Sequence, residues 1–336
     1  MLAAMYNARR IILGGREMLT QEQVAEFKEN GYLAVDRLLD YELDIQPVIA
    51  EYQQLLDDLC AQWVAQGRLP QTYSHLPFER RLVEVYRAGC RYEQAIDIAL
   101  PNSAIKPDTP IHLGPAVFDL LRSPRLLAAV ESLIGGEIYS NPIQHVRIKP
   151  PTRIIAKKDA DRALVGRTHW HQDSGVALPD ADETEMVTCW VAVTKATVEN
   201  GCLQVLPKSH REGMSPHCTT VDQLGIPDAL IPQEDAKPVP LKPGGVLFFH
   251  PMCKHASLDN NSDAFRWSFD LRYNPIGQPT GRPHFPGFVA QSRLNPATEL
   301  ADVEEWARLW MAARDKLAQV DGVKTHRWDS EDPLCA

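Results

Sequence analysis

The spacing of apolar and polar positions divides the chain into two regimes. From about residue 18 to 136 the apolar residues recur at helical intervals. The stretch "LTQEQVAEFKENGYLAV" opens on Thr20 with Gln23 three residues later, the pattern of a capping box. Val24 and Phe27 share one face of that helix, Asn30-Gly31 ends it, and "YLAV" follows as a short strand. Period and composition predict helices over 41–66 and 77–98. "PAVFDLLRSPRLLAAVESLIGG" predicts two short helices, broken at Pro124 and ended by Gly135-Gly136.

From about 138 to 275 the chain turns to short β-type runs, among them "IQHVRIK", "TCWVAVT", "GCLQVLP", "GVLFF" and "FRWSFDLRY". Asn200-Gly201 predicts a hairpin between the second and third of these. Many short strands separated by turn signals predict a sandwich or barrel. A last helix, "TELADVEEWARLWMAARDKLAQV", carries Trp306 and Trp310 four apart on one side, to pack on the β core. The expected fold is therefore mainly β with flanking helices. A single domain is expected over 18–336, with a helical part at 18–136, a β core at 137–275 and a C-terminal loop and helix at 276–336.

Composition narrows the function. The 336 residues are 44% hydrophobic and 24% charged, ordinary for a globular chain able to bury a large core. A net charge of -9 without a long Lys/Arg run argues against a nucleic-acid partner. No apolar run approaches the roughly 18 residues of a membrane span, so no membrane partner is expected. The sequence sets no oligomeric state. Residues 1–17 contain Arg9, Arg10 and Arg16 and no acid before Glu17, and read either as an extension ahead of the first helix or as a targeting segment. The seven cysteines are scattered and form no CxxC, which predicts reduced thiols in a cytoplasmic protein without a disulfide framework or zinc ribbon.

The candidate chemistry begins at "THWHQDSG", residues 168–175. Residues two apart on a strand face the same side, so His171 and Asp173 point one way and Gln172 the other. A His and a carboxylate so placed supply two ligands of a facial triad, the arrangement suited to non-haem Fe(II) with open positions. The same pair also reads as a hydrogen-bonded polar pair on a strand. A third ligand is offered by His250 or His255, both following the apolar run "VLFF". In "FRWSFDLRY" the alternation puts Arg266, Ser268, Asp270 and Arg272 on the inward face, and Phe265, Trp267, Phe269, Leu271 and Tyr273 under the helices. An inward arginine is costly unless it meets an anion, and Arg grips a carboxylate with two parallel bonds. "IQHVRIK" likewise alternates His145, Arg147 and Lys149, either an inward set for an anionic substrate or cosubstrate, or a solvated edge strand.

Together these segments resemble the phytanoyl-CoA dioxygenase family of Fe(II)/2-oxoglutarate oxygenases. The matching stretches are "HWHQDSG", "CWVAVTKATVENGCLQVLPKSH", "PGGVLFFHPMCKHASLDNNS" and "FRWSFDLRYNP", about 110 residues in the family's order, with the typical helical start "LTQEQVAEFKENGYLAV". The resemblance implies a double-stranded β-helix, a jelly roll of eight strands with the metal in its wide mouth. It assigns His171, Asp173 and His255 as the Fe(II) ligands, and leaves His250 and His169 outside the set. Arg266 matches the arginine that holds 2-oxoglutarate, with Ser257 and Ser268 as further donors. Trp190 matches an aromatic lining the cosubstrate pocket, and reads equally as a core tryptophan.

This chain departs from the family pattern at Lys208-Ser209-His210 and at Gly244-Gly245, both in turns. Asp173 stands where the related halogenases leave a gap for halide, which argues against halogenation. The implied activity is oxidation of an unactivated C–H bond of a small molecule, most simply hydroxylation. It would consume 2-oxoglutarate and O2, release succinate and CO2, and be supported by ascorbate. The segments 150–167 and 211–237 are candidate lids. The competing readings are a cupin-like isomerase or hydrolase that does not use 2-oxoglutarate, and a non-catalytic jelly-roll binding protein.

Overall fold

The computed structural model describes residues 12, 13 and 16–320 except 91, 158–164 and 220–222, together with 323, 325, 327, 328 and 335. Most of the 1–17 segment thus lies outside the described residues; within it, Ile12–Leu13 pairs antiparallel with Arg16–Glu17.

The helical half forms as its caps dictate. Thr20 and Gln23 close a reciprocal capping box on α1 (Gln21–Asn30), and Gly31 ends that helix in the left-handed region at φ 77°. Strand β1 (Tyr32–Val35) follows. The helix expected over 41–66 is a π-turn, Tyr41–Ile45, leading into α2 (Gln46–Ala65). The helix expected over 77–98 stops early: α3 spans Phe78–Arg87, and Gly89 takes φ 85°, which the right-handed helix does not accommodate. Helices α4 (Pro115–Leu121) and α5 (Pro124–Ile134) meet at Pro124, as the sequence predicts.

The β half consists of β2 (Glu137–Lys149), β3 (Val187–Ala192), β4 (Leu203–Val205), β5 (Lys237–Val239), β6 (Val246–Phe249), β7 (His255–Ser257), β8 (Arg266–Pro275) and β9 (Phe288–Ser292). A six-stranded sheet runs β9-β2-β8-β3-β6-β1, and a three-stranded sheet runs β7-β4-β5, with every pairing antiparallel. The Asn200-Gly201 turn is present, with Cys202 N–H donating to Thr197 O at 2.9 Å, but it is not the expected hairpin. It carries the chain from β3 in the large sheet to β4 in the small one, so the strands it joins are not neighbours.

Alternation assigns the two faces. On β3 and β6, Val187, Cys189, Val191, Val246 and Phe248 join the helix-side core, where Trp267, Phe269, Leu271 and Tyr273 of β8 also sit. Trp267 meets Tyr52 of α2 at 5.0 Å and Phe78 of α3 at 5.3 Å between ring centres. Trp190, Ala192, Leu247 and Phe249 point the other way and pack between the sheets with Leu203, Val205 and Val239. The last helix, α6 (Val303–Leu317), is seated by its two tryptophans: Trp306 stacks on Phe118 of α4 at 5.4 Å and Trp310 meets Phe285 at 5.5 Å. No helix among the described residues is long and apolar enough to cross a membrane.

The expectation of seven reduced thiols is corrected at one pair. Cys218 and Cys335, 117 residues apart, are disulfide-bonded, whereas Cys60, Cys90, Cys189, Cys202 and Cys253 are free and buried. Sequence spacing could not show this, because the return of the C-terminal segment is a tertiary event. Arg327 donates to Ser174 O at 3.0 Å and Ala177 O at 3.1 Å, and Trp328 Nε1 donates to Gly175 O at 2.7 Å. Arg327 and Trp328 therefore lie against the turn Asp173–Val176.

Candidate active site

Three polar side chains from two distant segments converge at the mouth between the sheets. His171 and His255 form an isolated antiparallel bridge, each N–H donating to the other's carbonyl at 3.0 Å. This pairing continues the small sheet by one residue and sets the two imidazoles side by side, ring centres 4.1 Å apart. Residues 168–175 are not the regular strand that the sequence suggests. The extended backbone reaches only to Gln172, and Asp173 opens a 3-10 turn, Asp173–Val176. That turn brings the carboxylate beneath both rings, Oδ1 lying 3.6 Å from His171 Nε2 and 3.9 Å from His255 Nε2.

Gln172, on the opposite side, anchors the turn. Its amide donates to Gly213 O at 2.9 Å and Met252 O at 2.8 Å, and its carbonyl accepts from Ser215 N–H at 2.8 Å.

The donor set fits a divalent transition metal. Ligand atoms of His171, Asp173 and His255 lie within 4.8 Å of one another, and all three residues are buried. His171 Nδ1 donates to His169 O at 2.8 Å and His255 Nδ1 to Cys253 O at 3.0 Å. Both protons are thereby fixed on Nδ1, and both Nε2 lone pairs are directed into the cluster. Burial pushes the two imidazoles toward their neutral, ligating form. Burial, the largest influence, would raise the Asp173 carboxyl, but the charge and hydrogen bonds of Arg272 together with His255 and His171 outweigh it and hold the group well below the usual carboxylate range.

His250 lies outside the cluster, its Nδ1 accepting from Met252 N–H at 3.1 Å and its ring 5.4 Å from that of His210. His169 contributes its carbonyl and not its imidazole.

A cleft of about 330 Å³, open mouth included, adjoins the cluster; its walls include His171, His255, Trp190, Arg147, Asp270 and Arg266. Arg266 begins β8 and is 2% exposed. Its Nη1 donates to Ser268 Oγ at 2.6 Å, its Nε is buried without a partner, and it lies over the Trp190 ring at 5.1 Å. Trp190 thus serves as pocket wall and as core residue together.

Beside Arg266, Lys149 at the end of β2 donates to Ser257 Oγ at 2.7 Å and also to Leu258 O. Burial, and then the nearby Arg266, push the Lys149 ammonium well below its ordinary range, and burial brings Arg266 down to about 10. The carboxylates that favour their charged forms, Asp259 for the lysine and Asp270 for the arginine, are not ion-paired to them.

The alternating set of β2 separates by position. Arg147 reaches the cleft and pairs through Nε with Asp270 at 3.0 Å. Lys149 lies behind it against Ser257. His145 is bonded to Asp97 at 2.9 Å and is not among the cleft walls.

Two residues that sequence reasoning left without a role stand behind the carboxylate. Arg272 donates from Nε to Asp173 Oδ2 at 3.0 Å and from Nη2 to Oδ1 at 2.6 Å, and Thr188 Oγ1 donates to Oδ2. The period-two alternation had put Arg272 on the inward face with Arg266; Thr188 was not singled out, though it lies two residues from Trp190 on β3. Their partner became visible only once the 3-10 turn had placed Asp173.

A jelly roll presenting two imidazoles and a carboxylate at its mouth, with a buried guanidinium deeper in the same cleft, defines the non-haem iron oxygenases that use a 2-oxo acid. Residues 27–268 match the profile of the phytanoyl-CoA dioxygenase (PhyH) family, and the chain belongs to that family of Fe(II)/2-oxoglutarate-dependent oxygenases. A probable phytanoyl-CoA dioxygenase of Caenorhabditis elegans is 25% identical over 263 residues, covering 76% of this chain and 75% of the relative. The ectoine dioxygenase of Bordetella parapertussis is 23% identical over 302 residues, covering 84% and 82%. Among solved structures, the apo form of the non-heme monooxygenase ThoJ superposes with a TM-score of 0.56 at 20% identity, covering 88% of this chain and 97% of that one, a likeness of fold.

Proposed function

We propose that this protein oxidises an unactivated C–H bond of a small molecule, most simply by hydroxylation, with 2-oxoglutarate as cosubstrate. His171 and His255 through Nε2, and Asp173 through its carboxylate, would hold Fe(II). Bound there, the iron supplies oxidative decarboxylation of 2-oxoglutarate to succinate and CO2, coupled to oxidation of the substrate by O2. The protein's own part is placement. Arg266 presents a guanidinium to the far carboxylate of the cosubstrate, Ser257 and Ser268 supply hydroxyls, and Lys149 adds a second positive charge. The Trp190 face walls the same pocket and helps to exclude water. Arg147, held by Asp270, is the residue of the β2 set best placed to meet the primary substrate.

The observation that carries this reading is the pair of buried basic side chains, Lys149 and Arg266, without an ion-paired carboxylate among the described residues, beside a complete ligand set. Burying a charge costs several kcal/mol in typical proteins unless a counter-charge meets it. A dicarboxylic cosubstrate would supply that charge within the cleft that Arg266 shares with His171 and His255. A cupin-like isomerase or hydrolase would give Arg266 nothing to hold, and a non-catalytic binding protein gives no reason for two Nε2 lone pairs aimed at one point. The relatives compared act, by their names, on small molecules, phytanoyl-CoA and ectoine among them, which supports the substrate class. The test is succinate production by purified protein given Fe(II), ascorbate, 2-oxoglutarate and O2. Absence of succinate with and without a panel of candidate substrates would sink the proposal.

A further inference from the structure

The geometry points to Arg272 and Thr188 as positioning residues that restrict Asp173 to one metal-binding oxygen; we infer that this restriction keeps the coordination positions needed by the cosubstrate open. The inference rests on the reading of the site as a 2-oxoglutarate oxygenase. Its basis is an asymmetry within one carboxylate. Oδ1 faces both imidazoles, at 3.6 and 3.9 Å. Oδ2 accepts from Arg272 Nε at 3.0 Å and from Thr188 Oγ1, so its lone pairs are taken by protein donors. Arg272 Nη2 reaches Oδ1 at 2.6 Å as well, which completes a two-point grip and fixes the rotation of the carboxylate plane.

Arg272 is itself fixed. Its Nη1 donates to Ile143 O at 2.9 Å, and it is only 6% exposed. That carbonyl is available because the pairing of β8 with β2 breaks register between Asp270 and Arg272, the partners stepping from His145 to Asn141. Asn141 holds the bulged segment, its Oδ1 accepting from Ile143 N–H at 2.9 Å. Bulges of this kind re-aim side chains next to active sites. Here the irregularity gives the third arm of the guanidinium an acceptor, so all three nitrogens are committed. A freed carboxylate could rotate and offer both oxygens, occupying a second position on the metal.

This predicts a separation that general damage to the fold would not give. Co(II) serves as the metal probe, and 2-oxoglutarate is titrated onto the Co(II)-loaded full-length protein, followed by calorimetry and by the visible Co(II) absorption. Arg272→Gln and Arg272→Lys should hold Co(II) within about threefold of wild type while binding 2-oxoglutarate at least about tenfold more weakly, about 1.4 kcal/mol. Thr188→Val, which keeps the shape and removes one donor to Oδ2, should show the same separation to a smaller degree. It also carries the test if the arginine variants do not fold. Parallel loss of Co(II) and 2-oxoglutarate binding in folded Thr188→Val, or unchanged 2-oxoglutarate affinity in all folded variants, would overturn the inference. Failure of the Co(II)-loaded wild-type protein to bind 2-oxoglutarate would instead overturn the reading of the site on which it rests.

Discussion

The two ends of the cleft handle charge in opposite ways. At the metal end the buried carboxylate has its counter-ion inside the protein: Asp173 is gripped by Arg272, and the Nδ1 proton of each imidazole has a backbone acceptor. At the other end Lys149 and Arg266 are both buried, burial and then Arg266 push the Lys149 ammonium down, and among the described residues hydroxyls and a carbonyl are their bonded neighbours. The Asp173 end is thus preorganised by internal partners, whereas the Arg266 end has no ion pair to Lys149 or Arg266 among the described residues. One end sets geometry, and on the proposed reading the other is completed by the anionic cosubstrate.

The largest expected effect is at the metal end. His255→Ala should abolish stoichiometric Co(II) binding, and His250→Ala should leave it intact, measured by calorimetry; the reverse outcome would transfer the ligand role to His250. Next comes Arg266→Ala. Loss of a charge-assisted, two-point contact worth roughly 1.5–3 kcal/mol should raise the 2-oxoglutarate dissociation constant about 10- to 100-fold with Co(II) binding unchanged. Unaltered cosubstrate affinity would remove the arginine from the assignment.

Lys149→Met tests the comparison most sharply, because stability and affinity should move in opposite directions. The ligand-free variant should melt higher than wild type, having lost a buried charge that faces Arg266, and should bind 2-oxoglutarate about tenfold more weakly. A lower melting temperature would show that the lysine is already compensated.

The smallest effect is a pH dependence. Burial holds the folded-state Lys149 ammonium below its ordinary value of 10.5, so between the two the unfolded chain binds the extra proton. Ligand-free wild type should therefore gain stability as pH rises toward 10.5, and this increment should be missing from Lys149→Met. Denaturant unfolding of both proteins across that range measures the difference.

Local pattern made much of this molecule readable, and the limits have physical causes. The alternation in "FRWSFDLRY" separated Trp267, Phe269, Leu271 and Tyr273, which do pack under the helices, from Arg266, Ser268 and Arg272, which do face inward. Capping at Thr20 and the break at Pro124 were equally legible, since both are decided within one turn of chain. The Asn200-Gly201 motif specified a turn and could not specify that the strands on either side belong to different sheets. The choice between His250 and His255 was likewise out of reach of spacing alone. It depends on a backbone bridge between residues 84 positions apart, 171 and 255, which periodicity does not encode. Arg272 was on the right face in the sequence and Thr188 was not singled out; an inward polar residue has no role until its partner is placed, and Asp173 left the expected strand to reach them.

The Cys218–Cys335 bond has a practical consequence. It ties the C-terminal segment beside His217, whose ring stacks on Trp328 at 5.2 Å and whose Nε2 accepts from the Gln172 N–H at 2.9 Å, next to Asp173. Samples kept in thiol reductant and samples kept without it are then two populations at the back of the turn that carries Asp173. Rates measured on them are comparable only after the thiol count of each sample has been taken.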